Sequence, residues 1–124
     1  MFKHVIFWVL SLLSFSAYSA NVSDISQKEL LEAGTSNVVI VDVRTAAEFK
    51  QGHVPNAINI PLSEIIDSPD ILASSKLKSI VLYCRSGYRA NKAAEALYKD
   101  GHQNLRHLEG DMQSWLKAGL TVEK

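Results

Sequence analysis

The only cysteine of the chain, Cys84, is followed by Arg85, Ser86, Gly87, Tyr88 and Arg89. A thiol becomes a strong nucleophile when it loses its proton, and helix N-termini and nearby cations favour that loss. The flanking residues imply both. Ile80-Val81-Leu82-Tyr83 is an apolar, strand-like run, and Ala90, Ala93, Ala94 and Leu97 repeat at the spacing of a helix face. The residues between must turn, and successive backbone N–H groups in such a turn form an anion-binding concavity. Gly87 permits a backbone shape that a side chain would block. Arg85 and Arg89 add full positive charges, Ser86 a hydroxyl donor. Taken singly, a cysteine after an apolar run is most often a small buried hydrophobe, and loop arginines are most often solvated. Their joint placement at a strand-to-helix turn favours a reactive thiol whose sulfur can carry negative charge.

The elements that must position this turn alternate in type. Ser26-Gln27-Lys28-Glu29 reads as a capping box opening a helix that continues through Leu30, Leu31 and Ala33 to Gly34. Val38-Val39-Ile40-Val41 is a β-branched run expected of a strand buried on both faces. Thr45-Ala46-Ala47-Glu48 is a second capping box, with its helix ending at Gly52. Ala57 to Ile60 is expected as a strand closed by Pro61, Ser63 to Ile66 as a short helix, and Ser68-Pro69-Asp70 as a further helix start. After the helix that ends near Gly101, Asn104 to Leu108 is a last strand. Asp111 then caps a helix carrying Met112, Trp115 and Leu116, stopped by Gly119. Strands alternating with helices imply parallel pairing in an α/β layered domain, with ligands beyond the carboxyl ends of the strands, where Cys84 falls. Asp42 and Arg44 close the first clear strand on the same edge. They either support the active loop or form a buried ion pair or turn cap, and the second reading is favoured because buried charges need partners. His53 belongs to the turn after Gly52. His102 and His107 have no thiol partners and no metal-ligand spacing, Trp115 is core, and Lys76 and Lys78 are a solvated face.

Residues 1–20 differ from the rest. A basic start, Met1-Phe2-Lys3-His4, precedes an apolar stretch from Val5 to Phe15 and the small residues Ser16, Ala17, Ser19 and Ala20. This is the outline of a secretory signal peptide, cut near residue 19 or 20. The apolar core is short of the roughly 20 residues of a spanning helix, so a lasting membrane anchor ranks second. Export to a bacterial periplasm is the expectation, with an extracellular destination ranked lower. The 124 residues carry 13 basic and 13 acidic side chains, a balance that does not favour a nucleic-acid partner. An odd cysteine in an exported domain is either an intermolecular partner or a reactive group.

Cys84-Arg85-Ser86-Gly87-Tyr88-Arg89 resembles the active-site loop of rhodanese-like sulfurtransferases. Asp42-Val43-Arg44, Glu48-Phe49, Gly52-His53-Val54, and Ala57, Ile58, Ile60 and Pro61 resemble the family's N-terminal signature, and Leu108-Glu109-Gly110 with Trp115 its C-terminal one. Two positions depart from it: Asn56 stands where glycine is common, and Asp111 replaces the second glycine of the last signature. The resemblance spans residues 24–124 as one domain. It implies a three-layer α/β/α fold around a mainly parallel sheet of about five strands. It implies thiosulfate sulfurtransferase chemistry through a Cys84 persulfide, with the loop from Arg85 to Arg89 binding a small anionic sulfur donor. A thiol or cyanide would be the acceptor, and a protein acceptor stays open. No cofactor or metal is implied. A non-catalytic sulfur carrier or partner-binding module is the alternative. The related dual-specificity phosphatases and arsenate reductases place an arginine six positions after the cysteine; here that position is Ala90 and Arg89 is five positions on.

Overall fold

The computed structural model describes residues 22–124. The segment read as a signal peptide lies outside them. Five strands, β1 (Val22–Ile25), β2 (Val38–Asp42), β3 (Ile58–Asn59), β4 (Ser79–Tyr83) and β5 (Leu105–Leu108), form one parallel sheet in the order β1-β5-β4-β2-β3. Helices α1 (Gln27–Ala33), α2 (Ala46–Gln51), α3 (Leu62–Asp67), α4 (Tyr88–Lys99) and α5 (Asp111–Lys117), with a 3-10 helix at Pro69–Ser75, make the connections.

The period-2 alternation of β4 sorts the core into two layers. Ile80, Leu82 and Cys84 pack on one face with Ile65 of α3, Leu72 of the 3-10 helix, and Ala90, Ala93, Ala94 and Leu97 of α4. Val81 and Tyr83 pack on the other with Leu30 of α1, and Met112 and Trp115 of α5. Parallel strands covered on both faces need such apolar runs. Each fully buried Leu or Ile contributes about 1.5–3 kcal/mol relative to exposure. The three buried alanines of α4, Ala90, Ala93 and Ala94, let that helix lie close to the sheet, which brings its N-terminus to the end of β4.

Both expected capping boxes form. The Ser26 hydroxyl accepts the Glu29 N–H at 3.1 Å, and the Thr45 hydroxyl accepts the Glu48 N–H at 3.2 Å. The structure departs from the sequence reading in two strands. β1 was not expected: Val22-Ser23-Asp24-Ile25 has no apolar run, and its edge position requires only one buried side chain, Ile25. β3 is shorter than Ala57–Ile60, because the Ala57 N–H turns back to the Val54 carbonyl.

The register brings the site together. Asp42 pairs with Tyr83, and Leu82 with His107, so the carboxyl ends of β2, β4 and β5 lie side by side.

Candidate active site

Cys84 follows β4 directly and is 1% exposed. The chain turns through Arg85 and Ser86 to Gly87, which has φ 115° and precedes the first residue of α4. There the Gly87 N–H donates to Cys84 Sγ at 3.0 Å. Glycine suits this position because its φ lies where L-residues are strained, and a Cβ would also crowd Asp111 Oδ2 at 3.3 Å. The sulfur therefore meets an inward amide at the positive end of the 12-residue helix α4.

The outward side of the loop is pinned to the start of α5. The Cys84 N–H donates to Asp111 Oδ1 at 3.0 Å, Met112 N–H donates to the Cys84 carbonyl at 2.9 Å, and Gln113 N–H donates to the Arg85 carbonyl at 3.1 Å. With those carbonyls directed at α5, the loop is held at a fixed curvature.

The two loop arginines differ. Arg89 donates from Nη1 and Nη2 to the two Glu48 carboxylate oxygens at 2.6 and 3.0 Å. Arg89 holds the Glu48 carboxyl well below its usual range, down to about 2, through these hydrogen bonds. Arg89 thus spends its charge tying the loop to α2. Arg85 is exposed and makes no ion pair among the described residues. It lines a cleft of about 320 Å³ together with Arg44, Glu48, Gln51, Met112, Gln113 and Leu116. Ser86 is exposed, and Tyr88, 72% exposed, stands beside the turn. A larger hollow of about 460 Å³ lies between Tyr98 and Gln103, past the other end of α4, far along the helix from the thiol.

Asp42 and Arg44 form a buried pair next to the loop. The Asp42 carboxylate accepts the Arg44 N–H at 2.9 Å, Arg44 Nη2 at 2.7 Å and the Tyr83 hydroxyl at 2.7 Å. Arg44 Nη2 also donates to the Gly52 carbonyl at 2.8 Å. Burial, then the Asp42 charge, pushes the Tyr83 phenol far up, so it stays protonated and donates. Its oxygen in turn accepts the Val54 N–H at 3.1 Å. The network joins β2 to the residue immediately before Cys84. The favoured reading, a buried ion pair, describes it, and its support of the loop is indirect. His53 stacks on Phe49 with ring centroids 3.6 Å apart. His102 is buried beside the far hollow, where burial lowers its pKa.

Three contributors escaped the sequence reading. In the sequence, Glu48 reads as a capping and signature residue, Asp111 as a helix cap and a departure from the signature, and His107 has no role; none of the three carries a link to the loop. The cap expected of Asp111 does not form, since Gly110 is the N-cap of α5 and the Asp111 carboxylate accepts the Cys84 N–H instead. His107 Nε2 lies 2.9 Å from Asp111 Oδ1, behind the loop. Both departures from the signature occupy left-handed backbone, Asn56 at φ 69° and Asp111 at φ 55°. That is the conformation the replaced glycines would favour.

Comparison with known proteins follows the same lines. The family described as "Rhodanese-like domain" matches residues 26–118. A protein of Allochromatium vinosum named "Sulfurtransferase" is 35% identical over 104 residues, covering 82% of this chain and 94% of that protein. An uncharacterized protein of Synechocystis is 38% identical over 87 residues, 70% of this chain, but the chain spans only 48% of its length. Among solved structures, a rhodanese-related protein from Thermoplasma volcanium superposes with a TM-score of 0.71 at 33% identity, covering 82% of this chain and 97% of that one.

Proposed function

The chain belongs to the rhodanese-like domain family, and from that premise we propose that it transfers sulfane sulfur through Cys84, with thiosulfate or a similar anion as donor. The Cys84 thiolate attacks the outer sulfur of thiosulfate. The bond between the two thiosulfate sulfurs breaks, sulfite leaves with the electron pair, and Cys84 carries a persulfide anion. A thiolate or cyanide then attacks the terminal sulfur, and the Cys84 thiolate is the leaving group. This is two-step covalent catalysis with ping-pong kinetics.

The observation that carries the reading is the 3.0 Å contact from the Gly87 N–H to Cys84 Sγ at the head of α4. An amide aimed at Sγ stabilises negative charge in the thiolate, the form that attacks the donor and the form that leaves when the acceptor takes the outer sulfur. Exposed Arg85 is the group available to attract a dianionic donor. The relative named sulfurtransferase, matched over nearly its whole length, supports the same chemistry. The tight turn also favours sulfur over phosphate. With the amide of the third residue already against Sγ, the cradle suits one added atom better than a tetrahedral group.

Intact mass measured after exposure to thiosulfate tests the proposal. The wild-type chain should gain one sulfur atom and Cys84→Ser none, and turnover with cyanide should follow. Loading without turnover points to a sulfur carrier. A wild-type chain that gains nothing, or that hydrolyses an aryl phosphate through Cys84, overturns the proposal. Export to a periplasm is proposed alongside it, on the sequence of residues 1–20, and N-terminal sequencing of the mature protein checks it.

A further inference from the structure

Asp111 does not cap α5: Gly110 is the N-cap, and Asp111, the first residue of the helix, is 1% exposed and holds φ 55°. Its Oδ1 accepts the Cys84 N–H at 3.0 Å, and both carboxylate oxygens face His107 Nε2, at 2.9 and 3.0 Å. A Cβ on Gly87 would lie 3.3 Å from Asp111 Oδ2 and 3.6 Å from His107 Nε2. The pair therefore touches the loop at two residues, the one that bears the sulfur and the one whose amide donates to it. A non-glycine residue held in left-handed backbone beside a reactive group is a pointer to function.

A carboxylate behind the loop opposes negative charge on the sulfur. A protonated imidazole cancels that opposition. The surroundings favour the proton: the hydrogen bonds and charge of Asp111, with Asp24 of β1 at 3.8 Å, raise the His107 pKa against the effect of burial. Among the described residues no cation competes at that spot. Arg106, next in sequence, donates to the Asp24 carbonyl and Glu29. Arg89 is held by Glu48, Arg85 is exposed, and the residue of β4 paired with His107 is the apolar Leu82.

We propose that His107 and Asp111 are a positioning pair for sulfur transfer: Asp111 fixes the Cys84 amide, and the proton on His107 keeps the pair neutral so that the sulfur can be anionic. As pH rises and His107 loses its proton, the carboxylate stands uncompensated and sulfur loading slows. This consequence for loading rests on the reading of Cys84 as the sulfur carrier. The effect on thiol ionisation does not.

The test measures both, on the full chain. The far-ultraviolet absorbance of the thiolate reads ionisation, with Cys84→Ser as the blank because Cys84 is the only cysteine. Mass gain with thiosulfate reads loading. At neutral pH, His107→Gln should lower the thiolate-to-thiol ratio and the loading rate by about tenfold, the effect of one uncompensated nearby charge. Adding Asp111→Asn to His107→Gln should restore both, since asparagine accepts the same amide and tolerates left-handed backbone. The gap between wild type and His107→Gln should close as pH rises through the titration of His107. A merely structural role would leave the double variant no better than the single one, and that result overturns the proposal. So does a His107→Gln chain with wild-type ionisation at every pH. If His107→Gln does not fold, Asp111→Asn alone decides: above the His107 titration it should show more thiolate than wild type, and equality overturns the proposal. Thiolate shifts without any mass gain in the wild type would remove the sulfurtransferase reading and leave the positioning pair standing.

Discussion

Asp42 and Arg44, at the end of β2, spend their charges on each other and on Tyr83, whereas Arg85, just past the end of the adjacent β4, makes no ion pair among the described residues. The two regions lie at neighbouring strand ends, in register at Asp42 and Tyr83. In the first, the carboxylate accepts from two residues, and the guanidinium has a carbonyl left over for it. In the second, a buried sulfur has one amide aimed at it and an exposed cation nearby. A closed network fixes geometry, and an open one leaves interactions for something that arrives. The closed network supports the open one, because Tyr83 is both a member of it and the residue before Cys84.

The largest effect should come from breaking the closed side. Asp42→Asn keeps an oxygen for hydrogen bonding and removes the charge, leaving Arg44 buried without its counter-ion. Removing one partner of such a pair costs about 3–5 kcal/mol, which lowers Tm by at least about 10 °C in a domain of this size. A thermal unfolding curve checks this. A shift of only a degree or two would mean that Arg44 reaches water, and the contrast between the regions would lose its basis.

A smaller and different effect is expected on the open side. Arg85→Ala should leave stability within about 0.5 kcal/mol of wild type, as for exposed positions generally. It should slow loading from thiosulfate by about tenfold at low salt. Because the side chain is exposed, added salt should erase much of that difference. Loading rates across a salt series measure it. A destabilised Arg85→Ala variant would place this residue with the closed network instead.

The sequence discloses these regions unequally. The Cys84 turn, its helix and the parallel layers were legible because they rest on local patterns: an apolar run, a helical repeat, and two capping boxes that form as written. The Asp42–Arg44 pair was legible for the same reason, its members being two residues apart. What was not legible spans distance. Glu48 meets Arg89 across 41 positions, and Asp111 meets the Cys84 amide across 27; no periodicity reports such contacts. Asp111 left one trace, a charged residue where the resembling motif has glycine, but the trace gives a backbone conformation and no partner. β1 was lost because an edge strand with one buried residue needs no apolar run.

The Glu48–Arg89 pair lies between the two regimes, and it should yield the smallest effect. It is bidentate like a closed pair, yet both side chains are about a third exposed, so water screens it and a contribution of roughly 0.2–1 kcal/mol is expected. Its pH dependence has a definite sign. The folded state lowers the Glu48 pKa to about 2, below the roughly 4.3 of an unfolded glutamate. The pair therefore stabilises fully above that unfolded value, and the contribution is lost as pH falls through about 2. Other carboxylates titrate in the same window, so the difference between wild type and Glu48→Gln isolates this one. Glutamine retains an oxygen able to cap Thr45, which leaves charge as the main change. Urea unfolding of both chains should show wild type modestly more stable at pH 7, with the two midpoints converging toward pH 2. A gap of several kcal/mol would show that Arg89 is effectively buried and that the active loop belongs to the closed network. No gap at neutral pH would show that Arg89, like Arg85, is free to meet an incoming anion.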